Sequence, residues 1–330
     1  IRVYNAYGRR DNLWKARIKI LVKSEGQRFV DAVEAEYRAI VEQDGAPHTI
    51  SDAALAEMTA RFAVPPLQPA GIAAAVDPAS RDYQRWLERN VRPHRIEGLR
   101  IVGLSFKRPG YAPGDADADT LDAVADLADR FSAGEARLTH EQNLLLPWVH
   151  AEDLPALYEQ ARALGLARPN LGLLSDMISC PGGDFCSLAN ARSIPIAAAL
   201  TERYQDLDEL WDLGEIDLHM SGCMNSCGHH HSGHIGILGV DKDGKEWYQI
   251  TVGGADGSAL SGPATPGKVV GPAFSAAEVP EVIEALLGTY RQLRTPGEHF
   301  IDTLRRTGHA PFREAAQSAR RVDLHAPTPA

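Results

Sequence analysis

The chain has 330 residues, 44% hydrophobic and 24% charged, with a formal net charge of −10. Its charges are interspersed rather than blocked, which disfavours nucleic-acid binding, because that needs basic stripes to displace counterions. No run of 18 or more apolar residues occurs, so no membrane-spanning helix is expected.

The amino-terminal Ile1-Arg2-Val3-Tyr4-Asn5 has neither the apolar run nor the cleavage site of a signal peptide. It reads like the interior of a structured segment of a cytoplasmic protein, so a fragment or processed product is expected. Phe29, Val33, Tyr37 and Ile40 fall at helical spacing and predict an amphipathic helix. Residues 1–62 are expected to be helical, and residues 63–90, with Pro65, Pro66, Pro69 and Pro78, to be a linker. A strand, helix, strand, helix order follows over 91–165. Leu99 to Phe106 alternates as a strand, and Asp119 or Thr120 can cap a helix with Leu121, Val124, Leu127, Ala128 and Phe131 inward. Glu135 to Trp148 reads as one strand. Leu154, Leu157, Tyr158, Ala161 and Leu164 mark a helix that Gly165 ends. This order is half of a ferredoxin-like unit.

Residues 166–315 read as a second, mixed α/β domain. Ser193 with Pro195 starts a helix, and Ile216, Leu218 and Met220 alternate into a strand ending at Cys223. His234–Val240 and Glu246–Val252 flank a hairpin turn. Ser275 is the expected cap of a final helix with Val279, Val282, Ile283, Leu286 and Tyr290 inward, and residues 316–330 read as a disordered tail. The fold class is α+β.

Four cysteines are present, Cys180, Cys186, Cys223 and Cys227, all within 48 positions. A disulfide scaffold would be short, secreted and cysteine-dense, so this cluster points to metal or redox chemistry. Four thiolates suit zinc or an iron–sulfur cluster. The spacing, Cys-x5-Cys and then Cys-x3-Cys after 36 residues, leaves both open. Gly182, Gly183 and Gly222 beside the ligands let backbone N–H groups approach cluster sulfides. A helix after Cys186 would turn its positive end toward an anionic cluster.

Cys-Pro-Gly-Gly-Asp-Phe-Cys-Ser-Leu-Ala from Cys180 and Cys-Met-Asn-Ser-Cys-Gly from Cys223 resemble the cluster signature of sirohaem-dependent nitrite/sulfite reductases. Arg137-Leu138-Thr139-His140-Glu141-Gln142-Asn143 is similar to that family's Arg-x-Thr-x-x-Gln-Asn segment, and Pro113-Gly114-Asp115 and His229 to Gly236 to other parts of it. The resemblance spans about residues 1–315 and matches the sulfite reductase haemoprotein (beta subunit) type. It implies a ferredoxin-like half-domain plus a mixed α/β domain binding a 4Fe–4S cluster and sirohaem. It makes Cys180, Cys186, Cys223 and Cys227 the cluster ligands, with Cys227 bridging to the sirohaem iron; Asn225, between the second pair, reads either as a donor to the cofactor or as a plain turn residue. The implied reaction is assimilatory six-electron reduction of sulfite, with nitrite the alternative. The implied partners are the anion and a donor, ferredoxin or an NADPH-dependent flavoprotein. In the family the substrate-binding Arg and Lys residues lie in the N-terminal half, whose end residues 1–60 resemble. The catalytic residues are therefore expected outside this chain and its active site is expected to be incomplete.

Plainer readings stand beside these. The cysteines are otherwise buried small hydrophobes, a structural zinc site in an interaction module, or a Cys223–Cys227 dithiol. His229, His230, His231 and His234 read as cofactor or solvent contacts, or as proton donors near neutral pH. Arg137 reads as structural. Lys107, Arg108 and Arg192 either pair with cofactor carboxylates or are solvated, and Gly253-Gly254 is a turn.

Overall fold

Among the described residues of the first 62, four segments are helical. The structure is a computed structural model that describes residues 1–12, 15–44, 50–67, 69–72 and 74–320. It divides into two units, Ile1–Pro65 and Pro66–Ala330. The first holds α1 (Arg2–Tyr7), α2 (Ile18–Glu25), α3 (Gln27–Asp44) and α4 (Asp52–Ala60). Ser51 caps α4, its Oγ accepting from the Ala54 N–H at 3.2 Å. The apolar face expected around Val33 and Tyr37 lies on α3, but both side chains are exposed.

The second unit opens with α5 (Arg81–Asn90), inside the segment expected to be a linker. Its Tyr83 and Trp86 are buried against Tyr158, with ring centroids 5.0 and 5.2 Å away. Buried aromatics at i and i+3 override the proline-rich sequence before them. Then come β1 (Val91–Pro93), β2 (Leu99–Leu104), α6 (Ala118–Phe131), β3 (Arg137–Leu138), β4 (Leu144–His150) and α7 (Leu154–Ala163). The sheet is antiparallel, in the order β1-β2-β4-β3. Val102, Leu104 and Leu146 face Val124, Phe131 and Leu157 of the helices in one core. A fully buried Leu or Phe there contributes roughly 1.5–3 kcal/mol.

Three local expectations needed correction here. Glu135 to Trp148 is a hairpin, β3 and β4, because the polar Thr139–Asn143 doubles back with Thr139 N–H donating to Asn143 O. Asp117 caps α6, accepting from the Thr120 N–H at 2.7 Å, in place of Asp119 or Thr120. Leu121 is half exposed, and Thr120 takes its place on the inner face.

The rest of the unit holds β5 (Ile178–Ser179), α8 (Ile194–Arg203), α9 (Leu207–Leu213), β6 (Leu218–Ser221), β7 (Ile235–Lys242), β8 (Lys245–Val252), β9 (Lys268–Val269), α10 (Val279–Leu293), α11 (Phe300–Thr307) and α12 (Ala310–Ser318). The sheet order is β5-β6-β7-β8-β9, parallel across the first three strands and antiparallel after them. Leu218, Met220, Ile237 and Ile250 meet Leu200, Val282, Leu286 and Phe312 in a second core. Glu278, not Ser275, is the N-cap residue of α10, and its carboxylate instead accepts from the Ser275 N–H and hydroxyl. Two further helices follow α10. Ala316 on α12 is fully buried, so folded structure continues past residue 315, and residues 321–330 of the expected tail lie outside the described residues.

Candidate metal centre

The parallel pairing of β5 with β6 sends two loops from the same edge of the sheet. Cys180 directly follows β5, and Cys223 lies two residues beyond β6. The Cys180 N–H donates to Met220 O at 3.1 Å, and the Gly222 N–H donates to Cys180 Sγ at 3.0 Å. Asn190 and Ala191 N–H groups both donate to Gly222 O, and the Cys186 N–H to Gly182 O. The loops therefore cross backbone to backbone. A Cβ on Gly222 would lie 2.6 Å from Gly182 Cα, and one on Gly182 2.6 Å from Ser193 N. That crossing is the main use of these two glycines. Only Gly222 turns its N–H toward a cysteine sulfur.

The expected helix after Cys186 is α8, with Ser193 as its N-cap residue. α8 begins at Ile194, and its first N–H donates to the Asp184 carboxylate at 3.3 Å, so that end is already capped. Ser193 Oγ sits 3.9 Å from Cys180 Sγ. All four cysteines are free; Cys223 is buried, Cys180 and Cys186 are partly buried, and Cys227 is exposed. Among the described residues no three Cys, His, Asp or Glu side chains converge as they would on one ion. A cubane takes one thiolate at each of four iron corners, a wider arrangement than four ligands on one ion. Phe185, Leu188 and Met224 are exposed on the same two loops, 82%, 70% and 66% accessible. Cys227 is exposed on the second of these loops.

The histidines separate into two groups. His229 and His231 are exposed, whereas His230 and His234 are buried. Burial pushes both buried rings down to about 4, so neither supplies a proton near neutral pH. His234 Nδ1 accepts from the Asp217 N–H at 3.2 Å, which places its proton on Nε2, 2.9 Å from Ser261 Oγ. Both side chains are fully buried, so this is a structural brace for the start of β6 rather than a nucleophile. His230 Nε2 is buried without a hydrogen-bond partner.

Of the cationic candidates, Lys107, Arg192 and Arg137 are hydrogen-bonded or ion-paired within the chain, whereas the Nε and Nη2 of Arg108 are buried without a hydrogen-bond partner. Lys107 Nζ donates to Glu141 O and Met177 O and lies 3.8 Å from Asp176. Arg192 pairs with Glu246, Arg108 stacks on Tyr111, and Arg137 pairs with Glu135. Asn225 is exposed in the turn between Cys223 and Cys227. Gly253 and Gly254 lie outside any strand, and Gly254 packs on Gly233 O and His231 O. A cleft of about 750 Å³ opens between the free face of the first sheet, at Ile101, Gly103 and Leu145, and Ile178 and His219 of the second. Gln142 was quoted in the sequence only as part of a motif, yet its amide bonds both backbone groups of Ser179, next to Cys180.

The family described as the nitrite and sulphite reductase 4Fe-4S domain matches residues 174–322, and the nitrite/sulfite reductase ferredoxin-like half domain matches 103–164. Together they cover more than half of the chain. The chain belongs to the nitrite and sulphite reductase family. It is 35% identical over 207 residues to a chloroplastic ferredoxin–nitrite reductase of Zea mays, covering 58% of this chain and 34% of that one. It is 31% identical over 179 residues to a sulfite reductase [NADPH] hemoprotein beta-component of Methylobacterium radiotolerans, covering 53% and 28%. The NirA protein of Mycobacterium tuberculosis superposes with TM-score 0.58 at 25% identity, over 94% of this chain and 51% of that one. The chain thus spans about a third of each of these two curated relatives and half of that structure. Its cluster-binding domain is a 4Fe–4S domain by family, and the four cysteines lie within it. No helix of the described residues is long and apolar enough to cross a membrane.

Proposed function

We propose that this chain is the cluster-bearing portion of an oxidoreductase that reduces sulfite or nitrite by six electrons, with a 4Fe–4S cluster coupled to sirohaem. The observation that carries the reading is the pair of cysteine loops crossing at the ends of adjacent parallel strands, with an N–H already aimed at Cys180 Sγ. Cys180, Cys186, Cys223 and Cys227 would hold the cluster, and the exposed Cys227 would reach the sirohaem iron beside Met224 and Phe185. Bound there, the cofactors supply single-electron storage and an open iron site for the anion.

The chain's own residues position those ligands, and the catalytic cations would belong to the part of the enzyme beyond this chain. Sulfite is the first reading from the sequence. The ferredoxin–nitrite reductases among the relatives favour nitrite, and the same relatives favour ferredoxin as donor over a flavoprotein.

Anaerobic purification of the full-length protein tests this. About five irons per chain, four in the cluster and one in sirohaem, and about four acid-labile sulfides are expected, with sirohaem absorption and turnover of one or both anions. A colourless zinc adduct or a metal-free protein would overturn the reading, and the ratio of sulfite to nitrite turnover decides the substrate.

A further inference from the structure

The strand that delivers Cys180 is two residues long and stands at the edge of its sheet. Only β6 pairs with it, and an isolated edge of that length specifies its position poorly. The Cys180 N–H points toward β6, so the alternation of a strand turns both backbone groups of Ser179 outward. They do not meet solvent. The Ser179 N–H donates to Gln142 Oε1 at 2.9 Å, and Gln142 Nε2 donates to Ser179 O at 2.9 Å. One side-chain amide thus stands in for a missing neighbouring strand, and the two contacts together assign its oxygen and nitrogen.

Gln142 itself is held in an unusual state. Its φ is +59°, a left-handed conformation that costs a non-glycine residue energy and persists only where surroundings enforce it. The enforcing contacts are the Gln142 N–H to Thr139 O and the bare backbone of Gly114. A Cβ on Gly114 would fall 2.6 Å from Gln142 Cβ. The Pro113-Gly114-Asp115 and Thr139-to-Asn143 segments therefore meet at the residue that grips Ser179.

We infer that Gln142 is a positioning residue for the cluster, its amide fixing Ser179 and hence the Cys180 sulfur, which Gly222 N–H holds from the opposite side. This rests on the cluster reading above. Losing the amide frees one side of the strand and lets the Cys180 sulfur shift on its iron corner. Supports one step behind a ligand typically change metal retention 10- to 100-fold.

The test uses the full-length holoenzyme and two Gln142 variants. Gln142→Gly accepts the left-handed backbone without cost and deletes the amide. Gln142→Glu keeps the acceptor for the Ser179 N–H but sets a carboxylate oxygen against Ser179 O. Gly114→Ala, outside both cysteine loops, displaces the Gln142 turn. Iron release to a chelator, the electron paramagnetic resonance line shape of the reduced cluster and the urea midpoint are measured for each. The expected result is iron release about 10-fold faster or more and an altered line shape in all three, with Gln142→Gly unfolding near the wild-type midpoint. Wild-type release and line shape in Gln142→Gly overturn the inference, as do changes that merely follow the unfolding midpoint. A wild-type protein without iron and sulfide sinks the cluster reading and this inference together, whereas a normal wild type with silent variants sinks only this one.

Discussion

At Gly228, directly after Cys227, the absence of a side chain is a steric requirement. A Cβ there would lie 1.9 Å from Met220 O and 2.8 Å from Met220 C, both backbone atoms of β6 that no rotamer change moves aside. The Gly228 N–H also donates to Ser221 Oγ at 3.1 Å, which tethers the exposed Cys227 loop to the strand. Gly228→Ala is expected to destabilise by about 1–3 kcal/mol and to lower the iron bound per chain, read by urea midpoint and iron assay. Wild-type values in both would mean that β6 yields. The cysteines were legible in the sequence because four thiols within 48 positions have few bland explanations. The partners of the glycines were not. Gly222 against Gly182 and Gly228 against Met220 are contacts across the fold, and local sequence carries no sign of which backbone will arrive.

Elements were legible where burial follows one period. α7 and the β7–β8 hairpin fall where the apolar spacing and the Asp243-Gly244 turn put them. The β3–β4 hairpin was missed because its turn, Thr139 to Asn143, lacks Gly and Pro and earns its shape from distant bonds. Asn143 Oδ1 accepts from the Phe106 N–H at 2.9 Å, and its Nδ2 donates to Asp176 at 2.8 Å. Asp176 lies 3.8 Å from Lys107, whose side chain is 2% exposed, so one buried polar network ties the end of β2, the hairpin turn and the approach to β5. Burial lifts the Asp176 carboxyl to about 6 against the pull of Lys107, and lowers the Lys107 ammonium. Lys107→Met leaves that carboxylate without its counter-charge, at a cost of about 3–5 kcal/mol when it is ionised. Protonation relieves the cost. The urea midpoint of Lys107→Met should therefore fall further below wild type at pH 8 than at pH 5, and an equal deficit at both would show that the charge is not what matters.

At the scale of the whole molecule, two buried groups act on stability toward acid with opposite sign. His234 is fully buried and neutral, its ring lowered by burial from an ordinary 6.5 to about 4. The unfolded chain then binds that proton more tightly, so the contribution is complete above about pH 6.5 and is lost as pH falls toward 4. A gap of this size corresponds to on the order of 3 kcal/mol. Asp176 works the other way. Its carboxyl is raised from 3.8 to about 6, so its contribution is present at low pH and lost as pH rises through that window. His234→Gln keeps a side chain able to meet Ser261 but cannot titrate, and should flatten the acid side of the urea midpoint between pH 6.5 and 4. Asp176→Asn should steepen it, by removing the term that offsets the histidine. Parallel curves for wild type and His234→Gln would mean that the ring does not carry the acid sensitivity. His230, lowered to about 4 by the same burial, would then be the next ring to substitute, with the same sign.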